Sequence, residues 1–389
     1  MNFILCDFNR DNLKPFTLTR PVAEIRIGIL TIREKWKKHL GAGTSYLTEK
    51  YLSGKFPLKK DKQNICINAS VLPGKNLVAQ IKSLKPSQQI VYRNKIIAAC
   101  ISKVQLNFSE LPEKFAGFKT IRFTGDVVMV ENTWDIFLKN EQAIKDDFDL
   151  ITKGRKSAKL SATNKISGQQ NIFIERGVKA EHSIINATAG PVYIGEGAEI
   201  MEGSIIRGPF ALCEHATLKM GAKIYGATTI GPYSKVGGEV INSVIFGYSN
   251  KAHDGFLGNS VIGEWCNLGA DTNNSNLKNN YSDVKVWSYE KEDFVNTGLQ
   301  FCGIFMADHS KCGINTMFNT GTIIGVSSNI FGGDFPPKFI PSFSWGGAKG
   351  FEKFNFDKAV ELATAVYKRR NMKFGKKEID VLKYLYEMK

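Results

Sequence analysis

An aliphatic residue recurs at every sixth position through the middle of this chain: Ile194, Ile200, Ile206, Leu212, Leu218, Ile224, Ile230 and Val236. Four residues after each stand Ala198, Ser204, Phe210, Ala216, Ala222, Thr228, Ser234 and Val240, mostly small, and Gly195 and Gly231 follow their aliphatics directly. A second register holds Met306, Cys312, Phe318, Ile324 and Ile330, with Gly313, Gly325, Thr316 and Ser328 in the companion places. Ile262-Gly263 and Leu268-Gly269 lie between the two. A period of six is neither the 3.6 of a helix nor the 2 of a half-exposed strand. It fits a triangular coil of about 18 residues, in which each side takes six, an aliphatic points inward and a small residue lets the chain turn. The pattern predicts a left-handed parallel β-helix over residues 171–345.

Stacked coils bury their aliphatic columns at roughly 25 cal/mol per Å2 of apolar area, but each covers only its neighbours, so the ends need caps. Asn355-Phe356-Asp357 opens a helical pattern with Ala359, Leu362, Ala363 and Val366 on one face, and another follows at Ile379, Leu382 and Tyr386. We expect a helical cap over 346–389. The first part of the chain differs. Short apolar runs at 2–6, 65–67, 89–92, 96–100 and 127–130 alternate with polar or helical stretches such as 29–40, the rhythm of an α/β, Rossmann-like domain. The polar, lysine-rich run 152–168 marks the change, giving a domain over 1–155 and a linker over 156–170.

With 389 residues and 43% hydrophobic content, two cores are within reach. No run nears the roughly 18 apolar residues of a membrane span, and the N-terminus has no basic stretch leading into a long apolar one. The expectation is a cytoplasmic protein with no membrane partner. Seven scattered cysteines without a CxxC pair read as buried hydrophobes, not as a disulfide framework or zinc ribbon. The net charge of +15 is spread along the chain, clustering only at 35–38 and 368–370, and no nucleic-acid-binding motif accompanies it. An enzyme acting on small polyanions such as nucleotides, sugar phosphates or coenzyme A would show the same balance, so charge alone does not separate the two readings, and the expectation is small-molecule substrates with no nucleic-acid partner.

The six-residue period lapses over 273–300, which reads as a projecting loop of the kind that often carries function. Just before it stands Lys251-Ala252-His253-Asp254-Gly255-Phe256-Leu257-Gly258, then Ile262-Gly263-Glu264-Trp265-Cys266-Asn267-Leu268-Gly269-Ala270-Asp271-Thr272 and Asn276. Over about 180–333 this resembles the acetyltransferase half of the bifunctional UDP-N-acetylglucosamine pyrophosphorylase/glucosamine-1-phosphate N-acetyltransferase family, whose pattern is K-x-G-H-x-x-Y-x-G, then N-I-G-A-G-T and a later N-Y. The resemblance makes His253 the catalytic base, Phe256, Asn267 and Asn276 sugar contacts, and Ala270 a coenzyme contact. Cys312-Gly313-Ile314-Asn315-Thr316 and the run from Ile324-Gly325 to Gly332-Gly333 resemble the acetyl-CoA groove, which implies that Ile314 and Gly332 lie beside the thioester and pantetheine. A histidine suits the chemistry, because a sugar amine attacking a thioester needs a base of pKa near 7. The chain departs from the pattern in three ways: Phe256 lacks the tyrosine hydroxyl, Asp271 replaces a glycine, and Lys235 with Gly237 stands where the family has the arginines of A-R-L-R-P-G. Lys235 or Lys251 would then anchor the substrate's anion.

Near the N-terminus, Leu13-Lys14-Pro15-Phe16-Thr17-Leu18-Thr19-Arg20-Pro21 resembles the L-x-P-L-T-x-x-x-P segment of sugar-1-phosphate nucleotidyltransferases. Their glycine-rich G-x-G-T-R is replaced by Asp7-Phe8-Asn9-Arg10-Asp11-Asn12, and a loop without glycine cannot bring its amides as close to a triphosphate. Arg10, Lys14 and Arg20 are the candidate phosphate contacts instead. Gly125-Asp126 is similar to the family's metal-binding G-D, making Asp126 the candidate Mg2+ ligand.

Together the chain is similar to a short-N-domain branch of the bifunctional family. That implies acetyl-CoA-dependent N-acetylation of glucosamine-1-phosphate, uridylyl transfer from UTP with Mg2+, and a homotrimer. Other readings stay open. The first domain alone could be active, or the coil could be a non-catalytic, trimerising scaffold for a regulatory sugar-nucleotide-binding first domain. A γ-type carbonic anhydrase would use histidines such as His182, His215, His253 and His309, but their spacing shows no H-x4-H.

Overall fold

The computed structural model describes residues 2–102, 107–108, 111 and 113–388. The chain divides into two compact units. Met1–Ile25, Leu30–Asn132 and Gly375–Glu387 form the first, and Arg26–Ile29 with Thr133–Phe374 the second.

The first unit is built on a six-stranded mixed sheet. Its strands are β1 (Asn2–Cys6), β2 (Thr44–Leu47), β3 (Gln63–Asn68), β4 (Gln88–Tyr92), β5 (Lys95–Ser102) and β6 (Lys119–Arg122), in the order β2-β1-β3-β5-β4-β6. β1 runs parallel to β2 and β3, whereas β5 is antiparallel to both of its neighbours. Near-continuous apolar runs, as in β1 and β5, are what a sheet covered on both faces requires. One of these faces packs Ile4, Cys6, Leu47, Cys66, Ala99, Ile101 and Phe115 together. All seven cysteines of the chain are buried and free, as their scatter suggested. Helix α1 (Ile32–Leu40) begins where Thr31 and Glu34 make a capping box and ends at Gly41, whose φ of 66° is the left-handed C-terminal stop. It anchors through Trp36, whose indole N–H donates to the Val71 carbonyl at 2.8 Å. Helix α2 is Lys75–Lys82.

The second unit is the expected parallel β-helix. Three parallel ladders form the sides of a prism. One runs in nine strands from Ile172–Ile174 to Phe339–Ile340, and a second starts at Lys179–Ala180 and ends in the antiparallel hairpin Ser344–Gly347/Gly350–Lys353. The third has six strands, from Lys165–Ser167 to Phe256–Gly258. The hexad aliphatics Ile194, Ile200, Ile206, Leu212, Leu218, Ile224, Ile230 and Val236 all line one buried core, and Ile262, Leu268, Met306, Cys312, Phe318, Ile324 and Ile330 continue it. On the second side, pairing of Ile200 with Leu218 and of Leu218 with Val236 stacks them into one inward column.

Along one edge the turns take left-handed conformations at non-glycine residues: His215, Tyr233, Tyr248, Trp265 and His309 have φ between 54° and 63°. Such backbone is strained for any residue with a Cβ, and stacking offsets the strain. Tyr233 stacks on Tyr248, Tyr248 on Trp265, and Trp265 on Tyr367 at ring separations of 5.1, 4.3 and 3.9 Å. This places His215 and His309 in an aromatic column, on a different edge from His253.

Three features depart from the outline drawn from composition. Helices α3 (Asp135–Leu138) and α4 (Asn140–Thr152) belong with the coil, together with the short segment Arg26–Ile29. Buried Asn140 explains the grouping: its carbonyl oxygen accepts from the Gly28 N–H (2.7 Å) and the Thr229 hydroxyl (3.1 Å), while its amide donates to the Ala227 carbonyl (2.9 Å). Gly28 is required there, because a Cβ would lie 2.6 Å from the Ala143 carbonyl oxygen. Helix α5 (Phe356–Lys368), capped by the Asn355 side chain, packs with the coil, whereas α6 (Lys376–Glu387) belongs to the first unit, where Tyr384 stacks on Tyr51 at 4.1 Å. The segment 273–300, expected as a loop, contains an antiparallel hairpin, Lys285–Ser288 with Asp293–Asn296, held by Trp287 stacked 4.4 Å from Phe339.

Candidate functional site

The sequence around His253 crosses from the second side of the prism to the third. Strand Asn250–Lys251 pairs with the coil before it, Val236 opposite Lys251, and Asn250 pairs with Asn267 of the coil after. The corner 252–255 then leads to Phe256–Gly258. Gly255 makes the passage possible: its φ is 111°, and a Cβ there would lie 2.3 Å from the Thr272 carbonyl oxygen. On the other side, a Cβ on Gly238 would meet the Gly255 oxygen at 2.7 Å. Wedged between two coils, the corner leaves His253 and Asp254 exposed. The Asp254 carbonyl accepts from the Asp271 N–H at 3.1 Å, which ties the next corner to it.

Asparagines continue the site onto the third side. The Phe256 N–H donates to Asn273 Oδ1 at 2.8 Å and the Gly258 N–H to Asn274 Oδ1 at 3.0 Å. Asn276 Nδ2 donates to Asn259 Oδ1 at 2.8 Å. A Cβ on Gly258 would lie 2.6 Å from Phe256 Cζ and 2.7 Å from Asn276 Nδ2, so ring and amide converge over that glycine. Exposed Asp271 is held by Asn273, whose Nδ2 donates to its carboxylate at 3.2 Å. His253, Asp254, Phe256, Asp271 and Asn276 therefore share one neighbourhood. The supporting roles of Asn259, Asn273 and Asn274 were missed in the sequence, although the asparagine-rich run after the lapse of the period is their signal.

Lys235 and Asn267 lie on the outward column of the second side, where register stacks Lys235, Asn250, Asn267 and Lys311 in turn. Both are exposed. Lys251 is directed elsewhere than expected. It sits in the inward column with only 2% of its surface exposed, and its ammonium donates to the carbonyls of His253 (2.6 Å) and Asp254 (3.1 Å). Burial pushes the ammonium down to about 8, against the pull of Asp254 and Asp271. An ammonium enclosed in this way cannot reach a solvent anion, so of the two candidate anchors only Lys235 faces outward.

The residues assigned to a coenzyme groove follow on later coils. The Ala270 carbonyl accepts from the Asn315 N–H at 2.8 Å, Ile314 is 71% exposed, and Gly332, with φ 98°, has open space around it. Beyond them Phe331 packs edge-on against Trp345. Trp345 also borders a cavity of about 590 Å3 shared with Phe354, Lys353, Lys358 and Leu362.

In the first unit, the cations after β1 are occupied internally. Arg10 donates to Asp7 Oδ2 (3.2 Å), the Arg20 carbonyl (3.2 Å), the Thr17 carbonyl and Tyr51 Oη (2.5 Å). This network holds the β1 loop in place of glycine turns. Burial raises the Asp7 carboxyl to about 6, although Arg10, Thr48 and the Val22 N–H all favour its charged form. Arg20 is also buried, and Lys14 pairs with Asp11 at 2.7 Å. Asp126 is exposed beyond β6, and no three His, Cys, Asp or Glu side chains converge on a metal position among the described residues. A cavity of about 350 Å3 opens at the C-terminal end of β2, lined by Thr48, Glu49, Lys50, Ser53, Phe56 and Phe108. In open parallel sheets ligands bind at such strand ends.

Residues 4–156 match the family model described as sugar nucleotidyl transferase. That stretch is a sugar nucleotidyltransferase domain. Among curated proteins, the chain is 32% identical over 146 residues to a bifunctional sugar-1-phosphate nucleotidylyltransferase/acetyltransferase of Sulfurisphaera tokodaii, covering 37% of this chain and 36% of that one. It is 27% identical over 275 residues to the bifunctional protein GlmU of Methanococcus aeolicus, covering 69% of this chain and 56% of the relative. An uncharacterized acetyltransferase, YaiX, of Escherichia coli is 28% identical over 153 residues, 39% of this chain and 66% of that one. The chain thus spans about a third of the first relative and just over half of the second. The chain therefore joins a sugar nucleotidyltransferase domain to a parallel β-helix. No helix among the described residues is long and apolar enough to cross a membrane.

Proposed function

We propose that the coil transfers an acetyl group from acetyl-CoA to the amine of an amino-sugar phosphate, with His253 as the base. The observation that carries this reading is the His253 corner itself: the residue is exposed while its main chain is fixed from both sides, and it leads directly into the strand where the Phe256 ring and the Asn276 amide converge over Gly258. Asp254 and Asp271 put two exposed carboxylates on the same pair of corners, which favours an acceptor that arrives as an ammonium. The ammonium first gives one proton to solvent, which frees its lone pair. The nitrogen then bonds to the thioester carbonyl carbon as His253 takes its second proton, and the C–S bond breaks with that proton passed from His253 to the sulfur, releasing coenzyme A as its thiol. Exposed Lys235 supplies the anion anchor for the sugar phosphate. Ala270, Ile314 and Gly332 border the path of the thioester arm. Three coils packed side by side would enclose that arm between neighbours, which is the assembly we propose.

For the nucleotidyltransferase domain we propose uridylyl transfer to the acetylated product, with Mg2+ carried in on the phosphates of UTP. Mg2+ keeps most of its ligands as water and phosphate oxygen, so a single carboxylate such as Asp126 is sufficient protein contribution. A second reading is favoured by Arg10: with its guanidinium bonded internally, this domain would bind a sugar nucleotide without turning it over.

Two assays separate these readings. Acetyl-CoA with glucosamine-1-phosphate is expected to give free thiol, and His253→Ala to lower the rate by about 10²–10⁴-fold without changing the melting temperature. Thiol release unaffected by that substitution would refute the coil assignment. UTP, Mg2+ and N-acetylglucosamine-1-phosphate test the first domain: pyrophosphate release supports transfer, whereas binding without release supports the second reading.

A further inference from the structure

We infer that Lys251 is a positioning residue, an internal post inside the coil whose ammonium holds the main chain of the His253 corner in its working shape. This inference rests on the proposed acetyl transfer. Register places Lys251 directly above Val236 in a column that elsewhere holds Ile200, Leu218, Leu268, Cys312 and Ile330. Every other member of this run is an apolar side chain or a thiol, and all of them line the buried core. A charge there is costly unless it is satisfied, and no carboxylate among the described residues lies within ion-pair distance of it. Its partners are two consecutive carbonyls, His253 at 2.6 Å and Asp254 at 3.1 Å. Stability alone would select an apolar residue at this position. A buried polar group that breaks the local rule belongs to function more often than to stability.

The two carbonyls explain what the post does. In a regular β-helix corner, carbonyls find N–H partners on the neighbouring coil. The His253 corner is squeezed between Gly237-Gly238 below and Thr272 above, and of its two exposed residues Asp254 alone also accepts a main-chain bond, from Asp271. Lys251 fixes the remaining acceptor from inside, on the side opposite to the imidazole. Through this contact the direction in which His253 projects is set by a group that touches neither substrate nor coenzyme. The charged groups facing the ammonium are Asp254 on its own corner, Asp271 on the next, and the Cys312 thiol further along the column. Burial weakens its hold on the proton, so the post is expected to loosen in mildly alkaline solution.

Lys251→Met tests the inference, since it keeps the length of the side chain and restores an apolar column. The expected result is a melting temperature equal to or above the parent's, a kcat for thiol release lowered at least tenfold, and a KM for acetyl-CoA within twofold. The parent should lose activity with an alkaline limb near pH 8 that the variant lacks. A readout that needs no variant is the His253 Cε1 proton resonance, which should report the Lys251 titration near pH 8. A kcat within twofold of the parent in Lys251→Met, or a His253 resonance without that titration, would overturn the positioning role while leaving an inactive His253→Ala, and the acetyl-transfer reading, intact. A His253→Ala enzyme with full activity would instead remove the reading on which the inference rests.

Discussion

Replacing Gly255 by alanine separates backbone strain from steric conflict at the His253 corner, because a control exists on the same edge two coils earlier. At Gly255 the φ of 111° lies where L residues are rarely found, which costs about 3 kcal/mol. The new Cβ would also lie 2.3 Å from the Thr272 carbonyl oxygen, a main-chain atom of the next coil that cannot swing away. Forcing it aside adds about 2 kcal/mol. Gly221 occupies the equivalent turn, with φ 67° and nothing within 4 Å of a Cβ, so Gly221→Ala bears only the left-handed strain of about 1 kcal/mol. The expected difference between the variants is therefore about 4 kcal/mol, or roughly 8–16 °C in melting temperature for a cooperative unit of this size. Scanning calorimetry on both measures it, and thiol release on the same samples should fall only for Gly255→Ala. Equal melting shifts would refute the argument that the Thr272 carbonyl confines the corner.

Two further outcomes concern stability. The Asp7 carboxyl titrates at about 6 in the folded chain against 3.8 when free, so the folded state holds its proton more tightly. Stability from this group is complete below pH 3.8 and is lost as pH rises through 6, a change of about 3 kcal/mol from 2.2 units at 1.36 kcal/mol each. Urea unfolding followed by tryptophan fluorescence between pH 4 and 7 should show this slope, and Asp7→Asn should flatten it. Asn140→Ala removes the partner of the Gly28 N–H, the Thr229 hydroxyl and the Ala227 carbonyl at once, in a fully buried place, and should destabilise the coil unit by about 3–5 kcal/mol in the same titration. A loss below about 1 kcal/mol would mean that these groups find other partners.

The sequence made much of the coil legible, and for a local reason. A six-residue period needs only that each stretch repeat its own pattern, so Ile194 through Val236 could be assigned inward without knowledge of any distant contact. The site was legible as a cluster, because His253, Asp254, Phe256 and Asn276 lie close along the chain or one coil apart. The direction of the lysine was not. Between Val236 and Lys251 the inward positions shorten their spacing, with Val240 and Ile245 four and five residues on, so counting by six loses the register just before the corner. Lys251 therefore read as a surface cation.

The same limit applies in the first unit and at its junctions. Arg10 stands in a loop of polar residues and reads as a phosphate contact, yet its four acceptors come from Asp7, Thr17, Arg20 and Tyr51, brought together only by the fold. Nothing in Arg26–Ile29 announces that Asn140 and Asp147 will satisfy its amides. What the sequence determined by itself was periodicity, and with it the coil, its inward columns and the α/β rhythm of the sugar nucleotidyltransferase domain. What the tertiary structure decided was which polar groups face inward and whom they hold. Burial of an aliphatic is indifferent to direction, whereas an ammonium or guanidinium is stable inside only where carbonyls and carboxylates from other parts of the chain meet it at hydrogen-bonding distance.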